Sequence, residues 1–213
     1  MKKLLIYYDN PNAASDMYLR YLKKDCEKQG IEYQIVENYD DLMDVIVMDE
    51  KNEYKILPMM PVEDIRVITE LIVFNEYDID NITGRAPYTD ATAQGIYNHI
   101  VEMCPDRSTT IAVVGRGKVG KILVNMLIDY GYTVCVFNSK SDRIFRMGIL
   151  RECMIIVGLS SQDNIINERD IDDTFGKKIY IDASHNFNFE GDSRKIFRCG
   201  KWTREVLLGR LND

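Results

Sequence analysis

Thr110-Ile111-Ala112-Val113-Val114-Gly115-Arg116-Gly117-Lys118-Val119-Gly120 is the stretch on which the reading of this chain turns. Its first five residues are an apolar, β-branched run of the length of a buried strand. G-x-G-x-x-G follows at once, and residues 121–129 read as a helix. Strand, glycine loop and helix in that order give an otherwise weak motif its force as a dinucleotide-binding signal. The first glycine permits a tight turn, the second lets backbone approach a pyrophosphate, and the third lets the helix pack on its strand. Backbone N–H groups at the positive end of the helix then face the phosphates. The plain alternative is a glycine-rich turn with no ligand. Gly115, Arg116, Gly117, Lys118, Val119 and Gly120 are thus the first candidate cofactor residues.

Gly131 closes that helix and residues 132–137 supply the next strand. An acidic side chain at the end of this strand would hold a ribose 2′-hydroxyl and repel a 2′-phosphate. Here the chain reads Phe137-Asn138-Ser139-Lys140-Ser141, with no acid before Asp142. Ser139, Lys140 and Arg116, with Arg143 close by, can donate to a phosphate. NADP is the expected cofactor, with NAD open, and Lys140 reads alternatively as a solvated surface charge.

Outward from this core the same alternation recurs. Strands are expected at 4–8, 32–36, 53–57, 110–114, 133–137, 154–158 and 178–182, with helices near 13–29, 61–74, 90–103, 119–130, 142–151 and 202–211. Alternating strands and helices call for an α/β fold with parallel sheets covered by helices. The polar, proline-containing turn Cys104-Pro105-Asp106-Arg107-Ser108 marks a seam. The expectation is a two-lobed chain: an N-terminal α/β substrate lobe over 1–105 and a C-terminal Rossmann lobe over 106–213, the last helix packing back on the first lobe.

Composition narrows the classes. The 213 residues are 46% hydrophobic and 29% charged, a globular balance that excludes disorder and collagen-like folds. The longest apolar runs fall far short of the roughly 20 residues that cross a bilayer, and Asp9 arrives too early for a secretion signal. The expectation is a cytoplasmic protein with no membrane partner. Five cysteines, odd in number and without a C-x-x-C pair, indicate neither a disulfide frame nor a metal site. A net charge of -7 repels phosphate backbones, so nucleic acid is not an expected partner.

Several further segments resemble the bifunctional methylenetetrahydrofolate dehydrogenase/cyclohydrolase family. Ser15-Asp16-Met17-Tyr18 looks like its S-x-x-Y, Leu57-Pro58-Met59-Met60-Pro61 its L-P-L-P, Asp78-Ile79-Asp80-Asn81 its D-V-D-G, and Ala91-Thr92-Ala93-Gln94-Gly95-Ile96 its C-T-P-x-G-I. Asn138-Ser139-Lys140 resembles H-S-K, Asp182-Ala183-Ser184-His185-Asn186 resembles D-V-G-I-N, and Gly200-Lys201-Trp202-Thr203 resembles G-P-M-T. Their order agrees from about residue 4 to residue 211.

The resemblance implies an NADP-dependent oxidoreductase acting on a folate, as a homodimer. It makes Asp80 the substrate contact, since a carboxylate accepts two hydrogen bonds from an amino-pyrimidine edge; the plain reading of Asp80 is a cap or turn aspartate. Tyr18 would stack on a planar ring, or simply pack. Asn138, Thr92, Thr203 and His185 would line the cofactor site, His185 standing where the family has an isoleucine; Thr92 and Thr203 read equally as helix caps. The family's catalytic lysine, four residues after the tyrosine, is here Leu22, which can neither ionise nor donate. Lys23 is next door, but one residue along a helix turns a side chain by about 100°; it serves only if its long chain bends back. The family's glutamine falls near Lys55 or Ile56. Reduced or absent cyclohydrolase activity is therefore expected. Two other readings stay open: a non-catalytic folate or nucleotide binder, and an oxidoreductase acting on another small imine or amino-acid-derived substrate.

Overall fold

The computed structural model describes residues 2–167, 170–171, 178–189 and 196–212. The chain is α/β with parallel sheets, as the alternation required, and its contacts group into two units: Met1–Ala91 with Arg204–Asp213, and Thr92–Thr203. The division thus falls at 91/92 and again at 203/204, not at the 105/106 seam. The helix Ala91–Met103 explains the difference, because its Ala93, Ile96 and Ile100 are buried in the same cluster as Ile111 and Val113 of the Rossmann unit.

In the first unit the elements are β1 (Lys3–Tyr7), α1 (Ala13–Gln29), β2 (Tyr33–Val36), α2 (Tyr39–Met48), β3 (Tyr54–Pro58) and α3 (Ile65–Val73). The three strands form a parallel sheet in the order β2-β1-β3. Strand β1 is buried on both faces, as the central strand of a covered parallel sheet must be. Leu4 and Ile6 pack into one cluster and Leu5 and Tyr7 into another, the alternation that the strand's period of two imposes.

Helix α1 starts at a capping box, with Asn12 accepting from the backbone of Ser15 and Ser15 returning the bond. It stops at Gly30, whose φ of +67° suits a residue without Cβ. Its buried stripe is Ser15, Leu19, Leu22 and Cys26. Helix α2 was not anticipated; Asn38 caps it by accepting from Asp41 N–H. Helix α3 begins four residues later than the expected 61, because Glu63 and Asp64 N–H both donate to Asp9 and Asp64 then caps the helix.

In the second unit the elements are α4 (Ala91–Met103), β4 (Thr110–Val114), α5 (Lys118–Tyr130), β5 (Thr133–Phe137), α6 (Arg143–Glu152), β6 (Ile155–Gly158), β7 (Ile166–Asn167), β8 (Ile179–Asp182), β9 (Phe187–Asn188), β10 (Ile196–Arg198) and the start of α7 (Gly200–Gly209), whose residues from Arg204 on belong to the first unit. The main sheet is parallel, in the order β10-β8-β6-β4-β5. Residues 111–114 are wholly buried, Ile111 and Val113 on one face and Ala112 and Val114 on the other. The chain leaves β4 toward β5, then returns across it to β6, so the topological switch point, where open α/β sheets bind ligands, lies between β4 and β6. β7, β9 and β10 were not anticipated; they are two or three residues long, too short for a periodic signal.

The last turn of α7 contributes Leu207 and Leu208, and Leu211 follows; all three lie in the cluster of Leu4, Ile6 and Leu22. Leu22 has no exposed surface there. A lysine at this position would bury an ammonium among aliphatic groups, so Leu22→Lys is expected to lower stability by about 3 kcal/mol or more. Urea unfolding checks it; a variant as stable as the parent would mean that position 22 reaches water.

Candidate functional site

The carboxyl edge of the larger sheet is built by backbone meeting backbone. Gly115 has φ +125°, and a Cβ there would stand 2.5 Å from the Leu159 carbonyl oxygen. At Gly120 a Cβ would stand 2.5 Å from the Gly115 carbonyl oxygen. Around Gly117 nothing lies within 4 Å of the equivalent position. Two glycines are therefore required by the fold itself, while the middle one opens onto space. Gly117 also stands at the N-cap of α5, where it makes no side-chain cap hydrogen bond, at the positive end of the helix. This is the open approach that a pyrophosphate would need. Val119 is partly buried against the core, and Arg116 and Lys118 stand on the exposed part of the loop.

After β5, Asn138 accepts from Lys140 N–H at 2.9 Å, and its own N–H donates to Ser141 Oγ at 3.1 Å. Asn138 thus shapes the turn that carries Ser139 and the exposed Lys140. Asp142 is committed as the cap of α6, accepting from Ile144 and Phe145 N–H. No carboxylate ends β5, and Arg143 lies 3.6 Å from Asp170.

After β6 and β8 a polar staple closes the edge. The side chain of Asn186, fully buried, accepts from Ser160 N–H at 2.9 Å and donates to the carbonyls of Ser160 at 2.9 Å and Gln162 at 2.7 Å. A Cβ on Gly158 would strike it at 2.8 Å. Asp182, also buried, accepts from Ser184 and Asn186 N–H and pairs with Arg198. His185 is exposed at φ +56°, with its Nδ1 3.5 Å from Arg198 Nη1. Thr203 and Thr92, 111 positions apart, bring their hydroxyls to 3.4 Å, and Thr203 also donates to the Cys199 carbonyl one turn earlier.

In the first unit Asp80 follows Asp78, and the two carboxylates do different work. Asp78 is fully buried and accepts from Ile82 N–H, Thr83 N–H and Thr83 Oγ1, which fixes the turn. Asn81 adopts φ +54°, a conformation asparagine tolerates well, and its side chain braces Ala86 N–H and the Tyr88 carbonyl. Asp80 accepts from Ala91 N–H at 3.1 Å, the first residue of α4. Desolvation pushes its carboxyl up to about 6, and buried Asp90 adds to the rise; the Ala91 N–H and Arg210 oppose it. The plain reading of Asp80 as a capping group therefore describes a contact that it makes. Its second oxygen and its raised affinity for a proton go beyond what a cap needs.

Tyr18 packs against the cluster that holds Ile79 and Ala91, on either side of Asp80. One face of its ring carries the Arg204 guanidinium at 5.6 Å, and Arg204 donates to Asp25 at 2.6 Å. Lys23 is half-buried beside the inward stripe of α1, not on it. Of the two positions where a glutamine was sought, Ile56 is buried, and Lys55 donates to the Glu76 carbonyl at 2.6 Å. Asp90, Arg204 and Arg210 were not singled out from the sequence. For Arg210 the available signal was a lone cation among Leu207, Leu208 and Leu211.

No family model matches the chain, and no curated protein matches it in sequence. Solved structures do. The bifunctional methylenetetrahydrofolate dehydrogenase/cyclohydrolase of Campylobacter jejuni superposes with a TM-score of 0.75 at 18% identity, covering 99% of this chain and 86% of that one. The NAD-dependent 5,10-methylenetetrahydrofolate dehydrogenase of Saccharomyces cerevisiae gives 0.75 at 16%, covering 99% and 86%. The Trypanosoma brucei methylenetetrahydrofolate dehydrogenase-cyclohydrolase, complexed with NADP and an inhibitor, gives 0.67 at 15%, covering 99% and 84%. Across nearly its whole length, this chain has the fold of the methylenetetrahydrofolate dehydrogenases.

Proposed function

We propose that the protein is an NADP-dependent oxidoreductase of the methylenetetrahydrofolate dehydrogenase type in which cyclohydrolase activity is reduced or absent. One observation carries the reading: a glycine loop closed against backbone at Gly115 and Gly120 and open at Gly117, at the switch point of a sheet with the fold of these dehydrogenases. The N–H groups that open α5 would hold the pyrophosphate. Ser139, Lys140 and Arg116 would donate to a 2′-phosphate, and residues 138–141, which follow β5, carry no acid. Asn138, Thr92, Thr203 and His185 are proposed to line the same site. When bound, the nicotinamide supplies the acceptor for a hydride.

The chain's own part is then binding and orientation, which hydride transfer chiefly needs. Asp80 would accept from the amino-pyrimidine edge of the folate, and such donors favour its charged form. Tyr18 would stack on the planar ring of the folate. Water activation is different, because it needs a group that ionises at the reacting carbon. Leu22 is buried in hydrocarbon, so the cyclohydrolase step has no lysine there. An oxidoreductase acting on another small imine is the second reading, favoured by that same substitution. Five free cysteines fit a reducing cytoplasm, and the family likeness supports a homodimer.

Oxidation of methylenetetrahydrofolate with NADP, followed by absorbance of the reduced cofactor, tests the proposal; no turnover with either nicotinamide cofactor would sink it. Gly117→Ala, which meets no protein atom, is expected to keep the parent's stability and to weaken NADP binding about tenfold or more by calorimetry. Unchanged affinity would mean that nothing approaches the loop there.

Asp80 also gives a pH signature. A carboxyl raised in the folded state binds its proton more tightly there than in the unfolded chain. Its favourable contribution is therefore complete below about pH 4 and is lost as pH rises through about 6. The stability of the parent minus that of Asp80→Asn, from urea unfolding at pH 4 to 8, should fall by on the order of 2–3 kcal/mol across that window. A difference that is flat with pH would contradict the desolvated carboxyl.

A further inference from the structure

Arg210 is a cation with only 7% of its surface exposed, embedded in the cluster of leucines that ends the chain. Burying a guanidinium is costly unless its donors are satisfied. Here Nη1 donates to the Ile79 carbonyl at 2.6 Å and Nη2 to the Thr89 carbonyl at 2.5 Å, and the plane lies 4.9 Å from the centre of the Tyr88 ring. The two carbonyls stand at the two ends of the loop that begins with Asp80 and leads into Asp90 and α4. A planar fork spans two acceptors in fixed geometry, which a single ammonium does not. The charges that bear on Asp80 are those of Asp90, Asp78 and Arg210, with the Ala91 N–H as its donor. Lys55, on β3, lies 5.5 Å from the same Tyr88 ring.

We propose that Arg210 is a positioning residue: it pins the two ends of the 80–88 loop together, so that Asp80 is held in register for the amino-pyrimidine edge of a reduced folate. The inference rests on the folate reading for its ligand but not for its geometry. It makes two separable demands. The charge of Arg210 holds down the proton affinity of Asp80, and its fork holds the loop.

Replacing Arg210 by Met removes both charge and fork, and replacing it by Lys keeps the charge and removes the fork. The Asp80 carboxyl is followed by carbon-13 NMR titration, identified by its loss in Asp80→Asn. 5-Formyltetrahydrofolate and NADP serve as calorimetric probes. In Arg210→Met the Asp80 midpoint should rise by about one pH unit. In Arg210→Lys it should stay within about half a unit of the parent, while folate affinity drops about tenfold and NADP affinity is unchanged. A parent-like midpoint in the Met variant, or parent-like folate affinity in the Lys variant, overturns the proposal. If the Met variant does not fold, the Lys variant carries the test, since the loss of folate but not NADP affinity in a folded protein is not a general structural effect. A parent protein that binds NADP but no folate overturns the folate reading; the midpoint in Arg210→Met then decides, by itself, whether Arg210 governs Asp80.

Discussion

At Gly115 the turn after β4 comes so close to the turn after β6 that a single methyl group would fall within 2.5 Å of a carbonyl oxygen. The organisation of this edge of the sheet follows from that approach. Gly120, in the first turn of α5, must again lack a side chain, because a Cβ there would stand 2.5 Å from the Gly115 carbonyl oxygen. The turn after β6 is in turn stapled by Asn186 to the turn after β8, and Asp182 holds that turn from below. Each contact uses a buried polar group with its partners satisfied, so the edge is rigid and tolerates little variation in side-chain volume. At Gly117, on the exposed part of the same loop, no protein atom lies within 4 Å of where a Cβ would stand.

In the first unit the polar groups gather on a loop and not on the inward stripe of α1. Helix α1 retains its capping serine and Tyr18, yet its inward stripe is completed by Leu22 rather than an amine. The residue that departs from ordinary carboxylate behaviour in this unit is instead Asp80, raised by burial and by Asp90 and restrained by Arg210. A carboxyl whose midpoint stands near neutrality is the kind of group that active sites gather.

What could be read before the structure was local or periodic. The glycine loop, the alternation of seven strands with helices and Gly131 as the close of α5 are statements about neighbours in sequence, and they were legible. Helix α2 escaped notice although Asn38 and Asp41 signal its start, because its apolar residues lie between two stronger strand patterns. The two-residue strands β7 and β9 had no periodicity to display.

The sequence by itself determined the α/β class, the nucleotide-type loop and a leucine at position 22 of α1, because each depends on residue type and spacing within a single element. Tertiary structure alone decided that α4 belongs with the Rossmann unit, that Leu22 has no path to water, and that Thr92 meets Thr203 across 111 positions. It alone joined Arg210 to Ile79 and Thr89, and so gave Asp80 its surroundings. The reason is that a buried charge takes its properties from whatever fills the few ångströms around it, and Arg210 lies 131 and 121 positions along the chain from the carbonyls it joins.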